Sequence, residues 1–275
     1  MPSSEIPPLP PREGWHVLHL FFHIDHAQWA LYTDEEKRHA KIRFTELVQE
    51  VRAAPDTQLL VFSVVSPKAD IGFMLLAADL HAANAFEKQL ALSLGAGILA
   101  PAYSYLSMTE SSEYTTTREQ YAVETLEGEK GLAPETPEYE AALREFDERM
   151  EHYRKHRLYP VLPPWPVLCF YPMSKRRLGD DNWYSLGFDQ RRKLMAGHAR
   201  TGRTYSGRIL QLITGSTGLD EYEWGVTLLA KDPSDIKAIV YEMRFDEVSA
   251  RFGEFGDFYM GLQLPLDALF ERVCL

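Results

Sequence analysis

Cysteine is scarce in this chain, and its scarcity excludes several classes at once. Only Cys169 and Cys274 occur, too far apart for a zinc motif and too few for a disulfide framework, so a reducing compartment, the cytoplasm, is expected. No C-x-x-C-H occurs, so any haem is expected to be held without covalent attachment. No apolar run is long enough for a transmembrane segment. Positive charge is also short: the formal net charge of −11 argues against nucleic acid as a partner. The phosphate loops G-x-G-x-x-G and G-x-x-x-x-G-K-[ST] are missing, as is the G-x-S-x-G nucleophile elbow, so nucleotide-dependent and hydrolytic functions have no support.

What remains is the profile of a globular protein, with 45% hydrophobic and 25% charged residues over 275 positions. Residues 1–13 are Pro-rich without an apolar core and read as a flexible arm rather than a signal peptide. From residue 14 to 110 the patterning predicts strand 15–23, helix 34–53 with Asp34 as its cap, strands 58–66 and 71–78, helix 81–94 and strand 102–109. From 166 to 275 the same order returns: strand 167–173, helix 189–200, strands 207–214 and 223–230, helix 233–244 opened by Asp232 and Pro233, and strand 255–263. Between them, 111–165 reads as a linker carrying an amphipathic helix from Pro137 to His156. The expected fold is α+β, with duplicated ferredoxin-like βαββαβ units forming a dimeric α+β barrel within one chain.

Several residues carry chemistry. His198 lies near the end of a predicted helix, with Leu194 and Met195 on its face, and such a histidine can point into an apolar pocket as an iron ligand. Spacing alone favours the plainer reading, a buried or capping histidine at a helix C-terminus. His16, His19, His23 and His26 cluster in and after the first strand, but His16 and His19 differ in parity and no neighbouring carboxylate set completes a ligand shell, which favours ordinary strand histidines over a metal site. In CFYPMSKRR a strand is expected to end at Tyr171, with Pro172 breaking it and Lys175, Arg176 and Arg177 forming a cationic loop suited to carboxylates. Gln211 sits inside an otherwise apolar strand and requires a partner, and Arg244 and Ser249 add polar groups downstream.

YPMSKRR, DNWY, RRKLMAGHARTGRTYSG, QLITGSTGLDEYEWGVTL and VYEMRFDEVSARFGEFGDFYMG, in that order, resemble the coproheme decarboxylases of the chlorite-dismutase-like superfamily. The resemblance is dense from about 165 to 263 and is one of pattern over the N-terminal half. It implies that His198 is the axial ligand of porphyrin iron, Tyr171 the radical-forming catalytic tyrosine and Lys175 its helper in the second decarboxylation. It implies Gln211 over the iron and Arg157, Met173, Arg244 and Ser249 against the propionates. Iron coproporphyrin III is then both substrate and redox centre, hydrogen peroxide the oxidant and haem b the product. The resemblance further implies a homopentamer supplied by coproporphyrin ferrochelatase. Chlorite dismutases place arginine where Gln211 stands, so chlorite chemistry is the weaker reading, and an amide is no distal base for a general peroxidase. A non-catalytic haem carrier or sensor would retain His198 without needing Tyr171 and Lys175 together.

Overall fold

The computed structural model describes residues 7–275. Strand β1 (His16–Ile24) leads through a short helix α1 (His26–Trp29) into α2 (Asp34–Ala53), β2 (Thr57–Val64), β3 (Ile71–Ala77), α3 (Leu80–Ser93) and β4 (Leu99–Thr109). Then follow α4 (Arg118–Gln120), a π-helix (Tyr121–Glu129) and α5 (Pro137–Leu158). The second half runs β5 (Val167–Lys175), α6 (Phe188–Arg203), β6 (Ile209–Gly215), β7 (Trp224–Ala230), α7 (Pro233–Met243), α8 (Glu247–Phe252), β8 (Gly253–Phe255), β9 (Tyr259–Gln263) and α9 (Leu266–Arg272).

The expected βαββαβ order is present in both halves. Each half pairs its first strand with its last and its third, and its third with its second: β4-β1-β3-β2 in one, β9-β5-β7-β6 in the other. The halves join edge to edge. Phe62, Ser63 and Val64 of β2 pair with Gln263, Leu262 and Gly261 of β9, and Met108 and Thr109 of β4 pair with Gly215 and Thr214 of β6. All pairings between these strands are antiparallel. Among the described residues, eight of the nine strands thereby close a ring, with β8 added outside β5. Closure leaves the ring no unpaired edge.

Alternation along each strand then sorts side chains to two faces. Val17, Phe21, Phe62, Met74, Leu168, Phe170, Leu212 and Tyr259 pack together inside the ring. Leu20, Phe22, Phe73 and Leu75 face out against Phe44 of α2 and Phe86 and Leu90 of α3. In the second half Val167, Cys169, Tyr171, Ile209, Val226 and Leu228 face out against Ile236 and Ile239 of α7.

Several local expectations need correction. Thr33, not Asp34, caps α2: its side chain accepts from the Glu36 N–H while Glu36 accepts from the Thr33 N–H, and Asp34 is the first helical residue. Asp232 and Pro233 do open α7. The arm is anchored where it is described, with residues 1–6 outside that range: the Leu9 N–H donates to Asp79 at 2.8 Å, and the Leu9 carbonyl accepts from the Leu80 N–H at 3.2 Å. Strand β5 runs through Pro172 to Lys175 rather than ending at Tyr171. The Pro172 carbonyl accepts from the Gly256 N–H, so its missing N–H faces the same side, where the single expected strand 255–263 is broken between β8 and β9. The two halves are one compact unit, the chain up to Thr109 together with Leu162–Leu275, while Glu110–Val161, expected as a linker, packs as a second unit. That second unit buries Leu126 of the π-helix with Tyr139 and Leu143 of α5. No described helix is long and apolar enough to cross a membrane.

The ring interior is filled to the point where glycine is required. A Cβ at Gly72 would lie 2.2 Å from Phe62 Cε2, and one at Gly261 2.3 Å from Phe62 Cδ2. Gly261→Val is therefore expected to lower the unfolding free energy by about 1–3 kcal/mol. Urea titration measures this, and the loss should shrink when the same change is made in a Phe62→Leu background.

Candidate functional site

Strand β5 carries three of the sequence-selected side chains at spacing two, Tyr171, Met173 and Lys175, and so presents them on the helix-covered outer face. The Tyr171 ring stacks on Phe258 at 4.3 Å and leans on Phe255 at 5.9 Å. Its phenol is held well above the ordinary tyrosine range by burial, opposed by the nearby Arg244 charge. Arg244 ends α7 and lies 4.0 Å from the Phe255 ring centroid. A crevice of about 380 Å³ beside α7 is lined by Cys169, Ile236, Val240, Arg244, Phe258 and Met260, so it shares Phe258 and Arg244 with the surroundings of Tyr171.

Lys175 is not on a loop. It is the last residue of β5 and is 7% exposed, with Nζ 5.0 Å from the Trp183 ring centroid. Burial lowers its pKa to about 8, against the attraction of Asp246 and Glu223, which raise it. The expected free cationic loop is also altered by pairing. Arg176 faces Asp181 at 3.9 Å and Glu254 at 3.6 Å, and Arg177 faces Glu223 at 4.0 Å. Acidic residues from later in the chain, not visible as partners in the run SKRR, meet these guanidinium groups.

His198 projects from α6. Its Nδ1–H donates to an Asp246 carboxylate oxygen. With the proton at Nδ1, a neutral ring carries its lone pair on Nε2. Asp246 is the residue that sequence reasoning missed. Its other oxygen accepts from the Val248 N–H at 3.1 Å and caps α8. Burial pushes the Asp246 carboxyl up, but hydrogen bonds from His198 and Val248 and the charges of His198 and Lys175 outweigh it and hold it below the ordinary carboxylate range. An aspartate before EVSARF reads as an ordinary helix cap, which it also is. The pairing with a histidine 48 positions earlier leaves no local signal.

Gln211 of β6 lies on the same outer face as Ile209 and Ile213. Its side-chain amide donates to the Gly202 carbonyl of α6 at 3.1 Å, one helical turn beyond His198. Ser249 is buried in α8, the short helix that Asp246 caps. Tyr171, Met173, Lys175, His198, Gln211, Arg244 and Ser249 thus all belong to β5, β6 and the helices α6 to α8. Arg157 does not: it lies in the last turn of α5, in the second unit, because that helix continues beyond His156 to Leu158. The early histidines form no metal group among the described residues. His19 is fully buried inside the ring, bonded to Thr227 at 2.9 Å and stacked on Phe170 at 4.0 Å.

A ring of two ferredoxin-like repeats, with a carboxylate-oriented histidine on a helix of its second half, defines a dimeric α+β barrel. The sequence profile of the chlorite dismutase family matches residues 37–264, and the chain belongs to that family. A haem-binding protein from Thermus thermophilus is 39% identical over 98% of this chain and 99% of its own, with a TM-score of 0.78. Chlorite dismutase from Candidatus Nitrospira defluvii, solved in complex with imidazole, is 16% identical over 96% of this chain and 97% of its own, at a TM-score of 0.70, a likeness of fold.

The Lys175 environment makes a pH prediction. The folded pKa, about 8, lies below the 10.5 of an unburied lysine, so the unfolded chain holds this proton more tightly. The resulting penalty is full below about 8 and fades as pH rises toward 10.5. Lys175→Met is expected to stabilise the protein by about 1–3 kcal/mol near neutral pH. It should also flatten the rise in urea midpoint across that alkaline window.

Proposed function

We propose that this protein binds iron coproporphyrin III and, with hydrogen peroxide, converts two of its propionates to vinyl groups, giving haem b. The observation that carries this reading is the placement of Tyr171 and Lys175 on one face of β5, with Lys175 within electrostatic reach of the aspartate that orients His198.

The residues fit a porphyrin. A neutral imidazole presenting Nε2 is the usual donor for haem iron, and the hydrogen bond to Asp246 fixes the required tautomer and strengthens the donor. Met173, Ile213, Phe255 and Met243 give the face an apolar surface for a flat macrocycle. Arg244 and Lys175 supply cations for its anionic rim. Bound, the iron centre would supply the two oxidising equivalents of each peroxide.

The residues supply the rest. Each propionate loses carbon dioxide, two electrons and one proton, while the peroxide takes those electrons with two protons and leaves as two waters, so one further proton enters per cycle. Tyr171 is assigned the transfer of oxidising equivalents, since its buried phenol, walled by Phe255 and Phe258, is shielded from bulk solvent. It would take a hydrogen atom, one proton and one electron, from the propionate carbon next to the ring; the second oxidising equivalent of the same peroxide then takes one more electron as carbon dioxide leaves, and a vinyl group remains. Lys175, with its pKa lowered to about 8, is matched to holding or passing a proton near neutral pH. Gln211, Met173 and Ser249 are assigned to the distal pocket and the propionates. Arg157 keeps its propionate assignment from the sequence pattern alone, as do a homopentamer, a cytoplasmic setting and delivery by coproporphyrin ferrochelatase.

The test is a peroxide titration of the protein loaded with one equivalent of ferric coproporphyrin III, with products read by mass spectrometry. Two successive losses of carbon dioxide with two hydrogens, ending at haem b, are expected. Tyr171→Phe should bind the porphyrin and stop before the first loss, and His198→Ala should lose the imidazole-ligand spectrum. Bleaching without mass loss would favour a haem carrier, and oxygen release from added chlorite would favour a chlorite dismutase.

A further inference from the structure

Helix α5 of the second unit carries a pair of histidines that the porphyrin reading does not use. His152 and His156 stand four residues apart, one helical turn, and both are exposed. Their rings converge: the two Nε2 atoms are 3.0 Å apart and the centroids 4.2 Å. We propose that His152 and His156 form a surface site for a divalent transition-metal ion, with Cu²⁺ the tightest of the series.

The argument is geometric. Two imidazole nitrogens bound at about 2.0–2.1 Å to one ion lie about 2.9 Å apart at a right angle and about 3.3 Å apart at a tetrahedral angle. The observed 3.0 Å falls between these values. Histidines at i and i+4 on one helical face are a recurrent way of aiming two lone pairs at one point. A ring-to-ring hydrogen bond would use opposite tautomers and would compete with water at an exposed surface, whereas a metal ion uses both Nε2 lone pairs at once. The helix is a rigid support. Its other face is fixed by the burial of Tyr139 and Leu143 and by the stacking of Phe146 on Tyr121 at 4.2 Å. Among the described residues no third histidine, cysteine or carboxylate joins the pair, so the ion's remaining positions are left to water or to a ligand from outside. Two imidazoles without thiolates select Cu²⁺, Ni²⁺, Zn²⁺ and Co²⁺ over Mg²⁺ and Ca²⁺.

The site is independent of what the second half binds, and so is its test. The full chain, free of any histidine tag, is titrated calorimetrically with CuCl₂, and the copper spectrum is read by electron paramagnetic resonance. One Cu²⁺ per chain is expected at this site, with hyperfine structure from two nitrogens, and weaker binding of Ni²⁺ and Zn²⁺. His152→Ala and His156→Ala should each weaken Cu²⁺ binding by about a hundredfold, the loss of one arm of a chelate. His81→Ala, which removes an exposed histidine of α3, should leave it unchanged. Equal affinity in wild type and both α5 variants, or a spectrum showing a single nitrogen, would overturn the proposal. Unchanged far-ultraviolet circular dichroism shows that each variant is folded.

Discussion

Two short edge pairings, β2 with β9 and β4 with β6, turn a pair of open four-stranded sheets into a ring. Each involves only two or three residues on a strand, yet the rest of the arrangement depends on them. Once the ring closes, period-two alternation gives every strand residue an address, either in the ring or under the helices. A slip of one residue in β5 would send Tyr171, Met173 and Lys175 inward and Phe170 outward. The register of β5 is held on both sides, by β7 along its length and by β9 and β8 in succession. That double hold explains how a proline can sit in the middle of the strand that carries the candidate chemistry: its missing donor points at the one place where the flanking ladder is already interrupted.

The electrostatics of the outer face follow from burial rather than from abundance of charge. The chain carries a formal net charge of −11, and the guanidinium groups of Arg176 and Arg177 are drawn toward Asp181, Glu254 and Glu223. Lys175, one residue earlier, is buried beside Trp183 instead, and the charges of Asp246 and Glu223 only partly offset its loss of water. An ammonium there is costly until an anion arrives. An anionic ligand rim would relieve that cost, so a lysine whose burial destabilises the fold has much to gain from such a ligand. A cation already satisfied by surface carboxylates, such as Arg176, has less to gain from the same ligand.

The fold was legible because both repeats are strongly periodic. Every long strand and helix of the two halves lies within a few residues of its expected place. What the sequence hides is local and has a tertiary cause. Proline's missing donor predicts a strand end at Pro172, but the flanking ladder is broken at that level, so nothing is lost by continuing. Thr33 and Asp34 are both good caps for α2, and only the reciprocal bond with Glu36 decides between them. The grouping of the candidate residues was legible in part. Tyr171, Met173, Lys175, His198 and Gln211 emerge from ordered motifs, and parity and helix packing bring their elements together. Asp246 is hidden by its own plausibility as a helix cap, and the carboxylate partners of Arg176 and Arg177 by their distance along the chain.

The histidines make the same argument within one residue type. Inside the ring, His19 has a hydroxyl, Thr227, at one nitrogen, no partner among the described residues at the other, and a phenyl ring against its face. Burial lowers its pKa to about 3, so it remains neutral and acts as a slightly polar piece of core. His198 has a carboxylate at Nδ1, which directs its other nitrogen to accept or to coordinate. His152 and His156 are exposed and face each other, at a spacing an ion can bridge. Composition supplies the imidazoles. The group that meets each ring decides whether it is buried as packing, oriented by a carboxylate or turned toward a second imidazole. For His19 and His198 that group comes from far along the chain, set by strand parity and helix contacts, whereas for the α5 pair it is simply the next turn of the helix.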